Sequence, residues 1–149
     1  MDAGTGVARG TVVSAEDLEA FLVREFPQAF GPGRPHSVVS VGYRTATVRL
    51  DASEEHLRPG GTVSGPALMM LADVTMYVAL LGQIGLVPLA VTTNLSINFL
   101  RKPPPGAILA DARLIKLGKR LAVGDVGLRA VSGEDLVAHC VATYSIPDR

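Results

Sequence analysis

The sequence has no tryptophan and only one cysteine, Cys140. A lone thiol rules out a disulfide framework and a cysteine-rich zinc site. Aromatic residues make up only 5% of the chain, which leaves little for base stacking. Neither sign of charge is in excess: 14 Lys+Arg balance 14 Asp+Glu. A neutral chain is a poor candidate for a general nucleic-acid binder, which needs surplus cations against phosphate. The start, Met1-Asp2-Ala3-Gly4-Thr5-Gly6, lacks the basic and apolar runs of a signal peptide, so a cytoplasmic setting is expected. His36, His56 and His139 show no metal spacing, and no metal site is expected. Neither a G-x-S-x-G frame nor a P-loop occurs.

What remains is an ordinary globular composition. The 149 residues, 48% hydrophobic, suit one domain with a real core. The charges are unevenly placed. Between Pro59 and Leu100 the only charged residue is Asp73. Arg101, Lys102, Arg113, Lys116, Lys119 and Arg120 then follow, against Asp111 alone. Such a basic stretch is a solvated face or a phosphate-binding one.

The coarse pattern reads as helix, strand, helix and four strands. Ser14 with Glu16 and Asp17 starts a helix carrying Leu18, Phe21, Leu22 and Phe26 at helical spacing. Pro27 and Gly31-Pro32-Gly33 end it. Alternation from Val38 to Leu50 predicts one strand. Ser64-Gly65-Pro66 opens a long apolar helix reaching Leu81, with Ser64 as N-cap and Pro66 in the first turn. Its length admits a membrane span, but Asp73, Gly82, Gly85 and Pro88 argue against one. Strands are then predicted at Val91–Phe99, Ile108–Leu117, Leu121–Val131 and Leu136–Ile146, the last three as antiparallel neighbours. The expected class is α+β, with a curved antiparallel sheet of about five strands around one buried helix. Residues 1–35 form an N-terminal extension with one helix, and 36–149 the main domain. The exposed edges of so small a sheet point to an oligomer.

Two features carry chemistry. Asp73 is a carboxylate within an apolar helix, where Met69, Met70, Met76 and Tyr77 offer it no cation. It is either a structural Asp held by distant donors or a general base or nucleophile. Gly65 stands at the helix start, where free N–H groups stabilise developing negative charge. About two helical turns separate it from Asp73.

The run Arg58-Pro59-Gly60-Gly61-Thr62-Val63-Ser64-Gly65-Pro66, followed by Leu71-Ala72-Asp73, resembles the signature of PaaI-type hotdog thioesterases. Val91-Thr92-Thr93, Asn98-Phe99-Leu100-Arg101, Gly118-Lys119-Arg120 and Ala142-Thr143-Tyr144-Ser145-Ile146-Pro147 are similar too. The resemblance spans residues 36 to 147. It implies the hotdog fold, protomers paired through their sheets into homodimers, and dimers associating into a homotetramer. It implies acyl-CoA hydrolysis without metal or cofactor, coenzyme A being part of the substrate, with no nucleic-acid or membrane partner. Asp73 becomes the general base or nucleophile, the Gly65 N–H polarises the thioester carbonyl, and Thr92 helps orient water beside Thr93. Three positions depart from the signature: Ser64 replaces its His, Pro66 a Gly and Arg58 an Asn. Ser64 keeps one hydroxyl donor at the catalytic position. Arg58 is a candidate for carbonyl, phosphate or Asp73. The acyl chain is expected beside Met69, Met70, Met76 and Tyr77, and the coenzyme near Arg101, Lys102, Lys119 and Arg120. Rival readings are a hotdog hydratase or dehydratase, which pairs a His with a carboxylate, and a non-catalytic acyl-CoA binding module.

Overall fold

The computed structural model describes residues 10–148. Helix α1 spans Ala15–Glu25, and the Ser14 hydroxyl accepts from the Asp17 N–H at 3.1 Å. Glu16 and Asp17 in its first turn favour the positive end of the helix dipole. Its inner face buries Leu18, Phe21 and Leu22. The Glu19 carboxylate accepts from the Val38 N–H at 2.8 Å and ties α1 to the sheet.

The long helix α2 spans Gly65–Ile84. Ser64 caps it, accepting from the Ala67 N–H at 3.3 Å. Pro66 sits in the first turn, where a missing N–H costs no intrahelical bond. Leu71, Ala72, Met76, Val78, Leu80 and Leu81 are fully buried. This helix is long and apolar enough to cross a membrane, yet here the sheet wraps round it as the core of the fold.

The sheet has strands β1 (His36–Gly42), β2 (Thr45–Asp51), β3 (Val91–Phe99), β4 (Ala107–Leu117), β5 (Leu121–Ala130) and β6 (Leu136–Ser145). Their order is β1-β2-β4-β5-β6-β3, and every pairing is antiparallel. The six strands exceed the five expected because the run from Val38 to Leu50 is a hairpin. Gly42 pairs with Thr45, and the two-residue loop between them puts Arg44 at φ 56°. A left-handed Arg carries no sequence signal, since Gly or Asn normally marks such a turn.

Gly124 of β5 marks the closest approach of helix and sheet. A Cβ there would lie 2.7 Å from both the Arg113 carbonyl and the Met76 sulfur. β3 forms one sheet edge and carries a bulge at Thr93: Thr92 pairs with Tyr144, and Asn94 with Thr143. The bulge shifts the alternation. Thr92 therefore shares the helix-facing side with Leu95 and Ile97, whereas strict alternation places it opposite them.

Candidate active site

The bulge in β3 brings Thr92 to the side chain of Asp73. The Thr92 hydroxyl donates to Asp73 Oδ1 at 2.5 Å. Tyr144 of β6 donates to the same Oδ1 at 2.8 Å and approaches the Asp73 carbonyl oxygen at 3.1 Å. Asp73 is thus held by donors distant in sequence. Its Oδ2 accepts no hydrogen bond and Asp73 forms no ion pair among the described residues. Burial, and then the Asp73 charge, raise the Tyr144 phenol above its ordinary value of 10.0. Tyr144 therefore keeps its proton and stays a donor. Its ring stacks on Tyr77 with centroids 6.1 Å apart, and the Tyr77 hydroxyl donates to the Pro88 carbonyl at 3.1 Å. Cys140 is fully buried. Burial first, then the carboxylates of Asp73 and Asp125, push its thiol up to about 11, so it is a poor nucleophile at neutral pH.

Asp73, Tyr77, Thr92 and Tyr144 line a cavity of about 570 Å³. Its other walls come from Phe21, Leu22, Glu25 and Phe26 of the α1 segment and from Pro88–Val91. Thr93, at the bulge, turns away: its hydroxyl donates to the Thr143 carbonyl at 3.3 Å.

Gly65 lies elsewhere. It lines a second cavity, of about 500 Å³, with Arg58, Leu68, Phe99, Arg101 and Lys102. The Gly65 N–H has no partner among the described residues, and the Phe99 ring rests against its Cα face, 3.3 Å from where a Cβ would stand. Ser64 uses its hydroxyl oxygen as the helix cap. Arg58 is exposed and does not reach Asp73; its backbone closes the Gly60-Gly61 turn. Arg101 donates from Nη1 to the Leu136 carbonyl at 3.1 Å.

Of the expected residues, one chain thus gathers two groups: Asp73, Thr92 and Tyr77, and separately Gly65, Arg58, Arg101 and Lys102. Eight residues of helix put about 12 Å of axial rise between Gly65 and Asp73. Lys119 and Arg120 occupy the β4–β5 turn, where Arg120 pairs with Asp148 at 3.2 Å. Met70 is exposed and lines neither cavity, as is Met69, while Met76 is buried in the core. His139 does pair with a carboxylate, Asp125, at 3.0 Å. That pair lies on the outer face of the sheet, opposite Cys140, and borders neither of these cavities. Among the described residues no three His, Cys, Asp or Glu side chains group as metal ligands.

Sequence reasoning missed Tyr144 as a site residue and missed the α1 wall. A signal for Tyr144 existed. A half-buried carboxylate on α2 requires donors from the facing strand surfaces, and Tyr144 alternates with Cys140 and Ala142 on that surface.

A family model for the thioesterase superfamily matches residues 60–137. No curated protein sequence matches significantly. Among solved structures, a protein of Silicibacter sp. TM1040 assigned as a thioesterase is 44% identical, with a TM-score of 0.85 over 95% of this chain and 97% of that one. Zebra fish thioesterase superfamily member 2 shares 21% identity and a TM-score of 0.78, over 91% of this chain and 99% of that one. The phenylacetic acid degradation protein PaaI of Thermus thermophilus, in a mutant form, shares 24% identity and a TM-score of 0.67, over 76% and 94%. The last two likenesses show the fold. The chain belongs to the thioesterase superfamily, with the hotdog architecture, and is a thioester hydrolase.

Proposed function

We propose that the chain hydrolyses acyl-CoA thioesters at a site built from two copies of itself. The observation that carries this reading is the split site. Asp73 with a free Oδ2 lines one cavity, and Gly65 with a free N–H lines the other, alongside three cations. One carbonyl cannot meet both groups of the same helix across about 12 Å.

Two-fold pairing along the β3 edge resolves the split. β3 runs from the Asp73 end of the molecule, at Thr92, to the Gly65 end, at Phe99. Antiparallel pairing of two such strands sets each Thr92 end beside the partner's Phe99 end. The edge also exposes Val91, Phe99 and Leu100, which pairing would cover. Lys119 and Arg120 belong to the Asp73 end, since Leu121 and Val91 both pair with Ser145. Two such dimers would make the homotetramer.

At this site the partner's Gly65 N–H polarises the thioester carbonyl and receives the developing oxyanion. Asp73 Oδ2 takes a proton from water as it attacks, or attacks the carbonyl carbon itself to give an acyl-Asp73 anhydride that water then hydrolyses to the free acid. The C–S bond breaks, the acyl carbon gains oxygen, and coenzyme A leaves as thiolate to be protonated. Thr92 and Tyr144 hold Oδ1 so that Oδ2 faces the substrate. The coenzyme phosphates lie against Arg58, Arg101 and Lys102 of one copy and Lys119 and Arg120 of the other. The route uses no metal or cofactor. A reducing cytoplasm suits a chain whose one cysteine is a free buried thiol.

Thiol release from a panel of acyl-CoA substrates tests the reading. Asp73→Asn keeps the shape and removes the base, so kcat falls by about 10²- to 10⁴-fold while KM moves little. Hydrolysis at the parental rate by folded Asp73→Asn would show the carboxylate to be structural.

A further inference from the structure

The α1 wall adds a charge to the cavity beside Asp73. Phe21, Leu22, Glu25 and Phe26 fall on one face of the α1 segment, and all four line that cavity. The thioesterase family model begins at residue 60, so this wall comes from outside the matched region. Among the described residues, Glu25 and Asp73 are the only charged side chains in the lining, and the other side chains are largely apolar or aromatic. Arg24 stands 3.6 Å from Glu25, but both side chains are largely exposed, and such a pair compensates the charge only in part. The Glu25 charge is felt inside the cavity, where it adds to burial in raising the Tyr77 phenol.

We propose that Glu25 is a specificity residue that screens the far end of the acyl group, admitting neutral tails and turning away tails that end in a carboxylate. The proposal rests on the acyl-CoA reading and on this cavity as the acyl site. An acyl group ending in a carboxylate would bring a third negative charge into a space that holds two. An apolar tail meets aromatic rings and no penalty. Selection on this basis favours simple acyl thioesters over the monothioesters of dicarboxylic acids.

The test is a matched pair, octanoyl-CoA and suberoyl-CoA, equal in length and differing by the terminal carboxylate. We expect a lower kcat/KM for suberoyl-CoA with the parent enzyme. Glu25→Gln should raise the suberoyl-to-octanoyl ratio by about 3- to 10-fold, a modest gain because Glu25 is partly in water. Glu25→Lys should raise it further, and added salt should narrow the parental ratio. A ratio that stays within about twofold of the parent in both variants would overturn the role of Glu25 and leave the hydrolase reading standing. No thiol release from either thioester with the parent enzyme would overturn the acyl-CoA reading, and the proposal with it.

Discussion

Two hydroxyls converge on one oxygen of Asp73, and the other accepts no hydrogen bond among the described residues. A carboxylate anchored in this way keeps its orientation as substrate arrives. Tyr144→Phe removes one anchor and little volume. A hydrogen bond to a charged group is worth about 1.5–3 kcal/mol, so kcat should fall by roughly 10- to 160-fold if the whole of it serves the transition state. A kcat within about twofold of the parent in the folded variant would make Tyr144 a packing residue. His36 illustrates a different residue-scale cost. It is 4% exposed and packs against the Phe30 ring. Burial lowers its pKa from 6.5, so the folded state holds it neutral. Below pH 6.5 the unfolded chain binds a proton that the folded chain resists. Stability is therefore full above the unfolded value and is lost as pH falls through the folded one. Thermal melts should show Tm falling on acidification from about pH 7 to about pH 5, with a shallower fall for His36→Leu. Parallel slopes would contradict this account. Asp73 and Gly65 were legible in the sequence because each breaks a pattern, a charge among apolar residues and a glycine at a helix start. Tyr144 was harder to read, because a buried aromatic on a strand resembles core unless the donors Asp73 needs are sought on the facing strands.

At the scale of elements, the sheet and α2 meet most closely at Gly124. The Arg113 carbonyl there is backbone and cannot swing aside from an added Cβ. Gly124→Ala should cost about 1–3 kcal/mol by overpacking, which lowers Tm by roughly 2–12 °C in a domain of this size. An unchanged melting curve would show that helix and sheet separate freely. Both helices were legible from their caps, since Ser14 and Ser64 each accept the bond that ends an orphan N–H. The last three strands were legible as well, because Gly118-Lys119 and Ser132–Asp135 mark their turns. The β1–β2 hairpin was not, since its left-handed residue is Arg44. The bulge at Thr93 was also hidden. One unpaired residue reverses the inward face of β3, and no composition marks it.

At the scale of the molecule, the formal neutrality of the chain conceals its layout. Arg58, Arg101 and Lys102 gather near Gly65, while Lys119 and Arg120 sit at the end that holds Asp73. Neither end alone has both groups, and the proposed two-copy site would bring one from each chain. Its most direct test is subunit complementation. Asp73→Asn removes the proposed base. Gly65→Pro removes the N–H assigned to the carbonyl; Ser64 already has the extended backbone that precedes proline, at φ -72° and ψ 155°, but the new ring presses on Phe99 and precedes Pro66, so a melting curve must first show the variant folded. Each homo-oligomer should be nearly inactive. When the two chains are co-expressed in equal amounts, random pairing makes half the dimers mixed. Each mixed dimer carries one site with both lesions and one site with none, so activity should return to about one quarter of the parental value. Activity no greater than that of the two variants measured separately, in dimers shown to be mixed, would place Asp73 and Gly65 in the same site of a single chain and contradict the account.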